Sequence, residues 1–390
     1  MSDARSETNR NAADRNATDR DPTERDPADG NATTGFSDGD GRTEADASRA
    51  NAGRSRSRSR SGRVAESARH GLLRGRARGL ALAVLFLLVV TTPVWASASV
   101  SRLVVDALVL VAVAQLWSYL AGTAGLVTLG AHGFAGVGAY ALWTLSERGG
   151  INPVVAVAGA GVVALLVAAV VGPLVLRLAA VPAALATWVV AAVCTEVVTR
   201  TSQVGGGEPR RVIQPVVDLG SSRDGMASWL AVVLGVGVVV LVYGHRRSRY
   251  GLALVAFADD PAVASGLDLP VAGARRTAWL VAAAAAGMAG AVAHFRTGEV
   301  APSAFDPAVW TYPAVAVAGI GGLSTVEGPF LGAVLYVLLH EAISGHDQAF
   351  AVVMAAAGVV GLVVGPDGWW GWARRALPFE PLPVRRRPSR

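Results

Sequence analysis

The chain has 390 residues, of which 52% are hydrophobic and 16% charged, with a formal net charge of +6. Apolar residues dominate from about residue 79 onward, a profile that favours a polytopic membrane protein over a soluble domain. Every basic residue is arginine, and the absence of lysine excludes a GxxxxGK[ST] phosphate-binding loop. In a membrane protein, excess arginine is typical of cytoplasmic loops, so we do not interpret the charge as nucleic-acid binding.

Residues 1–78 have a low-complexity composition with almost no aliphatic side chains before Leu72. Such a segment cannot bury a core, and we predict a disordered cytoplasmic tail. Its later part is rich in arginine, as in RSRSRSRSGR at 54–63, and it leads directly into the first apolar segment. We interpret it as a region attracted to anionic membrane lipid, with RNA binding as the alternative.

Ten apolar segments follow, each close to the length of about 20 residues that a membrane-spanning helix needs. They predict an all-α polytopic membrane protein with about ten transmembrane helices in residues 79–365, followed by a cytoplasmic tail at 366–390. The third and eighth segments are interrupted by glycine and polar residues. The predicted spans are 79–97, 103–122, 127–145, 152–172, 178–198, 227–244, 277–295, 307–322, 329–345 and 348–365.

Arginine clusters predict the orientation in the cell membrane. Clusters precede the first span, flank the stretch 250–269 and follow the last span. With ten spans these three regions share one side, which the positive-inside rule makes cytoplasmic, together with both termini. The loop 199–226 then lies outside, although it also carries arginines. These are Arg200, Arg210, Arg211 and Arg223.

The third span contains the glycine-rich sequence VTLGAHGFAGVGAY at 127–140. Small residues at short, regular spacing allow helix backbones to approach closely in a membrane. Glycine can also mark irregular backbone that lines a watery path. We therefore expect helix packing or, as the alternative, a translocation path. The candidate residues are Gly130, His132, Gly133, Gly136 and Gly138.

A second glycine-rich sequence, GIGGLSTVEGPFLGA, occupies 319–333 and interrupts an apolar run with polar residues. We predict a break in the helix here. Irregular backbone within a membrane persists only inside the protein or along a cavity, so the same two alternatives remain. The candidate residues are Gly321, Gly322, Glu327, Gly328 and Pro329.

Three stretches resemble motifs of the permease subunits of branched-chain amino-acid ABC importers. TLGAHGFAGVGAYA resembles SLGxxxFxGIGAY, GGLSTVEGPFLGA resembles GGxGTxxGPxxGA, and VAPSAFD at 300–306 resembles an external xxPxxF loop. They occur in the order of the family within residues 100–365. The resemblance implies a second permease subunit, two cytoplasmic ATPases that use ATP, an extracytoplasmic substrate-binding protein and a small-molecule solute.

The stretch YGLALVAFADDPAVASGLDL at 250–269 lies between two predicted spans on the arginine-rich side. It resembles the GRALRAIRDNPxAAxxxGI loop of the same family, which implies that an ATPase docks here. Asp259 or Asp260 can cap the start of a short helix, and Pro261 suits its first position. An ordinary capped surface loop is the alternative. The candidate coupling residues are Asp259, Asp260, Pro261 and Gly266.

Three residues of this loop depart from the resemblance. The family's loops carry basic side chains where this chain has Leu252, Val255 and Ala258. The placement of the loop is therefore better supported than the strength of its coupling.

Other polar residues lie within apolar runs, where an ionisable side chain is a functional candidate by default. Glu196 is the best of these, because the family often carries an acid in the corresponding span. The sequence contains no HExxH, CxxC or GxSxG motif and a single cysteine, Cys194, so we expect neither an enzyme nor a cofactor held by this chain.

We therefore expect a permease subunit of an ABC importer for branched-chain or related amino acids, driven by a separate ATPase. A permease of the same family for another small solute, such as urea, is the first alternative. An ion-coupled secondary carrier is the second, with Glu196 as its one candidate ionisable group. A membrane scaffold without transport is a third class, and it would not require the loop at 250–269.

Overall fold

The structure is a computed structural model that describes residues 91–92, 97–204, 208, 210–260, 266, 269–323, 325–343, 347–364 and 368–369. The predicted tails, most of the first predicted span and Pro261 lie outside these residues. All the helices described below belong to one unit of the chain, residues 74–390.

The described part of the chain is mainly α-helical. Its helices are α1 (Ala98–Gly122), α2 (Ala131–Trp143), α3 (Pro153–Val175), α4 (Ala180–Arg200), α5 (Gln214–Val217), α6 (Ser222–Arg247), α7 (Arg249–Asp259), α8 (Val271–Thr297), α9 (Pro307–Gly321), α10 (Glu327–Ala342) and α11 (Asp347–Val364). A π-helical turn, Thr144–Arg148, extends α2, and a 3-10 turn, Pro302–Phe305, precedes α9. Two short strands, β1 (Arg211–Val212) and β2 (Glu299–Val300), pair antiparallel.

Five of the described helices are long and apolar enough to cross a membrane, namely α1, α3, α4, α6 and α8. This supports the predicted all-helical membrane fold. Among the described helices, α2, α9, α10 and the apolar part of α11 are shorter, so the predicted count of about ten spans is not confirmed. Each of these nine described helices does overlap one of the predicted segments after residue 97.

Helix α3 packs against its neighbours through small residues and exposes large ones. Small residues at four-residue steps, from Ala156 to Gly172, form one buried stripe, and within that stripe Trp279 of α8 donates its ring N–H to the Ala168 carbonyl at 2.9 Å. Large residues such as Leu166 and Val170 are exposed on the opposite face. Small residues at helix contacts and large apolar residues toward lipid are the pattern expected in a membrane, where close packing drives association.

Helix α2 lies at the centre of the molecule and is buried on every side. All its residues from His132 to Trp143 are buried. It packs against α3, α4 and α8 and against the 3-10 turn before α9. A helix that is apolar all round belongs in the core of a bundle, where it positions its neighbours.

Contacts along the helices show which ends lie together. Ser101 pairs with Ser228, and the Tyr119 hydroxyl lies 2.6 Å from Nδ1 of His245, so α1 and α6 run parallel. The strands β1 and β2 lie at the end of the bundle where α1 and α6 begin, which we call the strand end. The junction between α6 and α7 lies at the opposite end, which we call the Arg246 end.

The strand end carries the ion pairs that the structure gives for the described residues. Arg210 pairs with Glu299 across the strands at 3.0 Å. Arg296 lies 3.5 Å from Asp106, which joins α8 to α1. The arginines predicted in the outer loop are therefore partly offset by acids that lie beside them in space.

Candidate functional site

The chain enters α2 through an irregular segment, residues 123–130, whose polar backbone groups bond to neighbouring helices. Gly125 has a φ of 62°, which a residue with a side chain rarely adopts. The Trp117 ring N–H donates to the Thr128 carbonyl at 2.7 Å, and the Leu129 N–H donates to the Thr187 hydroxyl at 3.0 Å. Irregular backbone of this kind is tolerated within a membrane because the protein itself satisfies it.

His132 connects the start of α2 to α9. Nδ1 of His132 lies 3.0 Å from Oγ1 of Thr311, and the His132 backbone N–H donates to the same hydroxyl at 3.3 Å. The Thr311 hydroxyl in turn lies 3.4 Å from the Leu129 carbonyl oxygen. Both side chains are buried, so this contact joins the start of α2 to α9 inside the bundle.

An aromatic pair lies on the outer side of this polar contact. The ring of Trp188, on α4, meets the His132 ring edge-on with centroids 5.1 Å apart. The Trp188 ring is also nearly parallel to that of Tyr312, with centroids 6.4 Å apart. Tyr312 is 53% exposed, so the pair extends from the buried His132 to the surface of the bundle.

The glycines of the first glycine-rich segment bring α2 into backbone contact with its neighbours. A Cβ added to Gly130 would overlap the Thr187 carbonyl, and one on Gly133 would lie 2.6 Å from the Ala191 Cβ. The equivalent atoms on Gly136 and Gly138 would overlap the Phe305 ring and the Gly287 carbonyl, respectively. These contacts favour helix packing as the role of all four residues.

The interior beside these glycines has little free space. A cavity of about 30 Å³ lies between α1, α2, α4 and α8. It is lined mainly by apolar side chains, with Thr128 and Thr187 at one side. This volume holds about one water molecule, so a solute the size of an amino acid does not fit between these helices.

The second glycine-rich segment is broken as the sequence predicts. Helix α9 ends at Gly321, and the next residue, Gly322, has a φ of 98° that glycine alone adopts readily. Gly321 and Gly328 pack backbone to backbone. The Gly328 N–H donates to the Thr325 hydroxyl at 3.1 Å and closes the turn.

Glu327 and Pro329 begin α10 on the far side of the break. Glu327 is half-buried and interacts electrostatically with Arg246 of α6. Pro329 is buried in the first turn, where its missing N–H leaves no helical hydrogen bond unmade. These two residues therefore belong to the start of a helix that packs beside the Arg246 end.

Comparison with known proteins identifies the family of this chain. The family described as the permease component of branched-chain amino acid transport systems matches residues 99–364. The chain belongs to this family. The chain is also 26% identical over 107 residues to the probable branched-chain amino acid transport permease protein LivH of Methanocaldococcus jannaschii. That match covers 27% of this chain and 32% of the relative's length. No solved structure matches the chain.

Members of this permease family are transport components and not enzymes. In this member, no three His, Cys, Asp or Glu side chains of the described residues lie close enough together to hold a metal ion. The contacts that the described site does show are hydrogen bonds, aromatic contacts and close backbone packing.

The predicted coupling loop begins as a helix within this permease. Helix α7 runs to Asp259, so of the two aspartates only Asp260 has the extended backbone that an N-cap requires. The prediction that either aspartate could start a helix is therefore wrong for Asp259. Pro261 lies outside the described residues, and Gly266 is exposed.

The remaining acidic candidate of this permease, Glu196, lies on the outer surface of α4. It forms an i,i+4 ion pair with Arg200, the last residue of the helix, and the side chains of both are largely exposed. A surface pair at a helix end is solvated and contributes little to stability. This position gives little support to the alternative in which Glu196 couples ion movement to transport.

Four residues of the site carry no motif in the sequence, namely Trp188, Thr311, Tyr312 and Arg246. The first three lie in apolar runs that predict only helices. Arg246 looks like one member of a basic cluster, yet it is only 7% exposed while its neighbour Arg247 is exposed. Their partners lie far away in the chain, so no local signal identifies them.

Proposed function

We propose that this chain is the transmembrane permease subunit of an ABC importer for branched-chain or related amino acids, and that a separate ATPase drives it. Membership of the permease family supports the general function. The match to a branched-chain amino acid permease supports the solute class, although it spans only about a third of that relative.

The main support for an ATPase-driven mechanism comes from helix α7. Its exposed face presents Leu252, Val255 and Ala258, each three residues apart, while Ala253 and Leu254 are fully buried. These three exposed residues are the ones that replace basic side chains in the family resemblance. A short helix with one anchored face and one free face, between two long helices, suits docking by a protein that never enters the membrane.

We propose ten spans with both termini in the cytoplasm, and with the Arg246 end on that side. Arginines of the α6–α7 junction and of the first turns of α8 lie at this end, with few acids beside them, whereas several arginines of the strand end pair with acids. The rule that cytoplasmic loops are rich in arginine supports the orientation. Reporter fusions after Arg78, within 250–270 and after Arg375 should all report the cytoplasm.

We place the solute path along the exposed side of α4 and α9, facing a second permease subunit. The interior cavity is too small for an amino acid, whereas Trp188 and Tyr312 reach the surface. A substrate-binding protein would then meet the strand end, where an open cavity of about 540 Å³ is lined by polar residues that include Arg102 and Arg223.

Replacing Leu252 and Val255 with aspartate tests this function. The variant should insert normally, because both side chains are already exposed. It should lose co-purification with the partner ATPase and lose solute uptake in cells. Asp260→Arg should weaken both, and the matched control, Val212→Asp at the strand end, should leave ATPase association intact.

Full ATPase binding and full uptake by the Leu252→Asp and Val255→Asp variant would contradict the docking assignment. Uptake that persists without any ATPase would instead favour an ion-coupled carrier. Competition of labelled leucine uptake by excess valine, but not by urea, distinguishes the proposed solute class from the alternative within the family.

A further inference from the structure

The loop between α9 and α10 is held by contacts to its backbone carbonyls. The hydroxyl of Ser118, on α1, lies 3.4 Å from the Gly322 carbonyl oxygen and 3.2 Å from that of Leu323. Nη2 of Arg246, on α6, donates to the Leu323 carbonyl at 3.3 Å. Ser118 is fully buried and Arg246 nearly so. We call these two side chains the loop anchor.

The anchor is tight because there is little space between α1 and the loop. A Cβ on Gly122, at the end of α1, would overlap the Leu323 carbonyl. The Arg246 guanidinium also lies 5.9 Å from the Tyr119 ring centroid, a favourable cation–π distance. A buried guanidinium is stable only where such contacts compensate for lost water, so Arg246 has few alternative positions.

Arg246 also belongs to the junction that leads into α7. The neighbouring His245 bonds to the Tyr119 hydroxyl and stacks on the Tyr250 ring, with centroids 5.9 Å apart. Gly251 packs directly on the His245 and Arg246 backbone. The end of α6 and the start of α7 therefore form one packed unit, and movement of α7 must carry Arg246 with it.

The other end of this connection reaches the aromatic pair. Gly322 follows directly after α9, and Thr311 lies about 16 Å up that helix. Thr311 bonds to His132, and the next residue, Tyr312, stands against Trp188. Packed and hydrogen-bonded residues thus run without interruption from α7 to the exposed side of α4 and α9.

We propose that the loop anchor, Ser118 and Arg246, couples movement of α7 to α9 and so links ATPase docking to the solute path. This inference rests on the proposed function. Both are positioning residues, because both contact the α9–α10 loop and neither lies at the aromatic pair. The anchor holds backbone carbonyls, so it moves the loop as a whole together with the end of α9, and the remainder of α9 transmits that movement past Pro313 to Thr311.

The test measures ATP hydrolysis and solute uptake separately, with the full permease and its ATPase in lipid vesicles. Arg246→Met keeps an unbranched, flexible side chain, although a shorter one, and removes the donors and the charge. ATPase binding and hydrolysis should stay near wild type, while solute moved per ATP should fall about tenfold, within the usual range of coupling between sites. Ser118→Ala should cause a smaller loss.

Two further variants separate coupling from general damage. Arg246→Gln keeps N–H donors on a shorter side chain, so a small shift of the loop lets them reach the Leu323 carbonyl, and it should restore part of the coupling. Arg247→Met is the matched control, since the Arg247 side chain is exposed and its guanidinium donates to the Tyr243 hydroxyl of its own helix at 2.8 Å. It should transport like the wild type.

An unchanged ratio of uptake to hydrolysis in Arg246→Met would overturn the proposal, as would loss of ATPase binding, which would make Arg246 part of the docking surface. If Arg246→Met does not insert, the ratios for Arg246→Gln and Ser118→Ala decide in the same way. Wild-type protein without ATPase-dependent uptake would overturn the proposed function itself, which separates the two failures.

Discussion

The two glycine-rich segments look alike in the sequence but have different structures in the fold. In the first, the glycines of α2 stay within one buried helix and meet the backbones or rings of its neighbours. In the second, the chain leaves the helix after Gly321, turns through Gly322 and starts again at Glu327. Glycine allows close backbone approach in both segments, as at Gly321 and Gly328, and in the second Gly322 also supplies the backbone conformation of the turn.

The difference teaches where rigidity and adjustability lie in this permease. Helix α2 is confined on all sides, so any added atom must displace a whole helix. In the second segment Gly321 and Gly328 are confined as closely, whereas the turn residues Gly322 and Thr325 take part in a few hydrogen bonds. Substitutions should therefore be more damaging in α2 than at these two turn residues, and the following predictions test that order.

Gly138→Leu should have the largest effect. Its side chain would meet the Gly287 carbonyl, and because backbone cannot rotate away as a side chain does, α2 and α8 would have to separate. The cost should exceed about 3 kcal/mol, the upper end of ordinary overpacking. We expect no monodisperse protein by size-exclusion chromatography in detergent.

The matched control for Gly138→Leu is Gly237→Leu, in the middle of α6. Gly237 is exposed, and a Cβ there would have no neighbour within 4 Å. This variant should elute like the wild type. Equal behaviour of the two leucine variants would mean that α2 is not the confined helix described above.

Thr311→Val should have the second largest effect. Valine keeps the shape but removes the hydroxyl that serves the His132 backbone N–H and ring. Leaving these buried groups unpaired should cost about 1–3 kcal/mol, measured as a lower apparent melting temperature in detergent. Thr277→Val, an exposed change in α8, is the control and should melt close to the wild type. A stability for Thr311→Val equal to that of the control would show that His132 finds other partners.

More of the fold than of the candidate site can be predicted from the sequence. Apolar length alone places α1, α3, α4, α6 and α8, because a membrane span needs a run of apolar residues and little else. The start of α2 was predicted four residues early, at 127. The segment before it is irregular because Trp117 and Thr187 bond to its backbone, and those partners come from other helices.

The candidate residues illustrate the same limit. The glycine spacing favours packing, and the close backbone contacts of Gly130, Gly133, Gly136 and Gly138 agree with that prediction, which stays a prediction. The aromatic pair and the loop anchor were missed, because Trp188, Tyr312 and Arg246 gain their roles from contacts with α2 and with the α9–α10 loop. Sequence patterns report the periodicity of one helix and not which helices meet.

Gly322→Ala should have a moderate effect and tests the other half of the comparison. The backbone at Gly322 has φ 98° and ψ 137°, a conformation that strains any residue with a Cβ. The expected cost is about 1–2 kcal/mol, seen as a modest fall in apparent melting temperature. Gly273→Ala, in open space on α8, should by contrast be neutral or slightly stabilising. A loss as severe as that of Gly138→Leu would make the loop as confined as α2.

Thr325→Ala should have the smallest effect of the four. The Thr325 hydroxyl accepts the Gly328 N–H at 3.1 Å and so performs the part of a capping side chain at the start of α10. Losing one such cap typically costs about 1 kcal/mol, too little to unfold the bundle. Thr325→Ser retains the hydroxyl and should melt with the wild type, which separates the hydrogen bond from the lost methyl group. If serine and alanine lower the melting temperature equally, packing of the methyl group holds the turn. The turn would then depend on close packing, as α2 does, which contradicts the comparison.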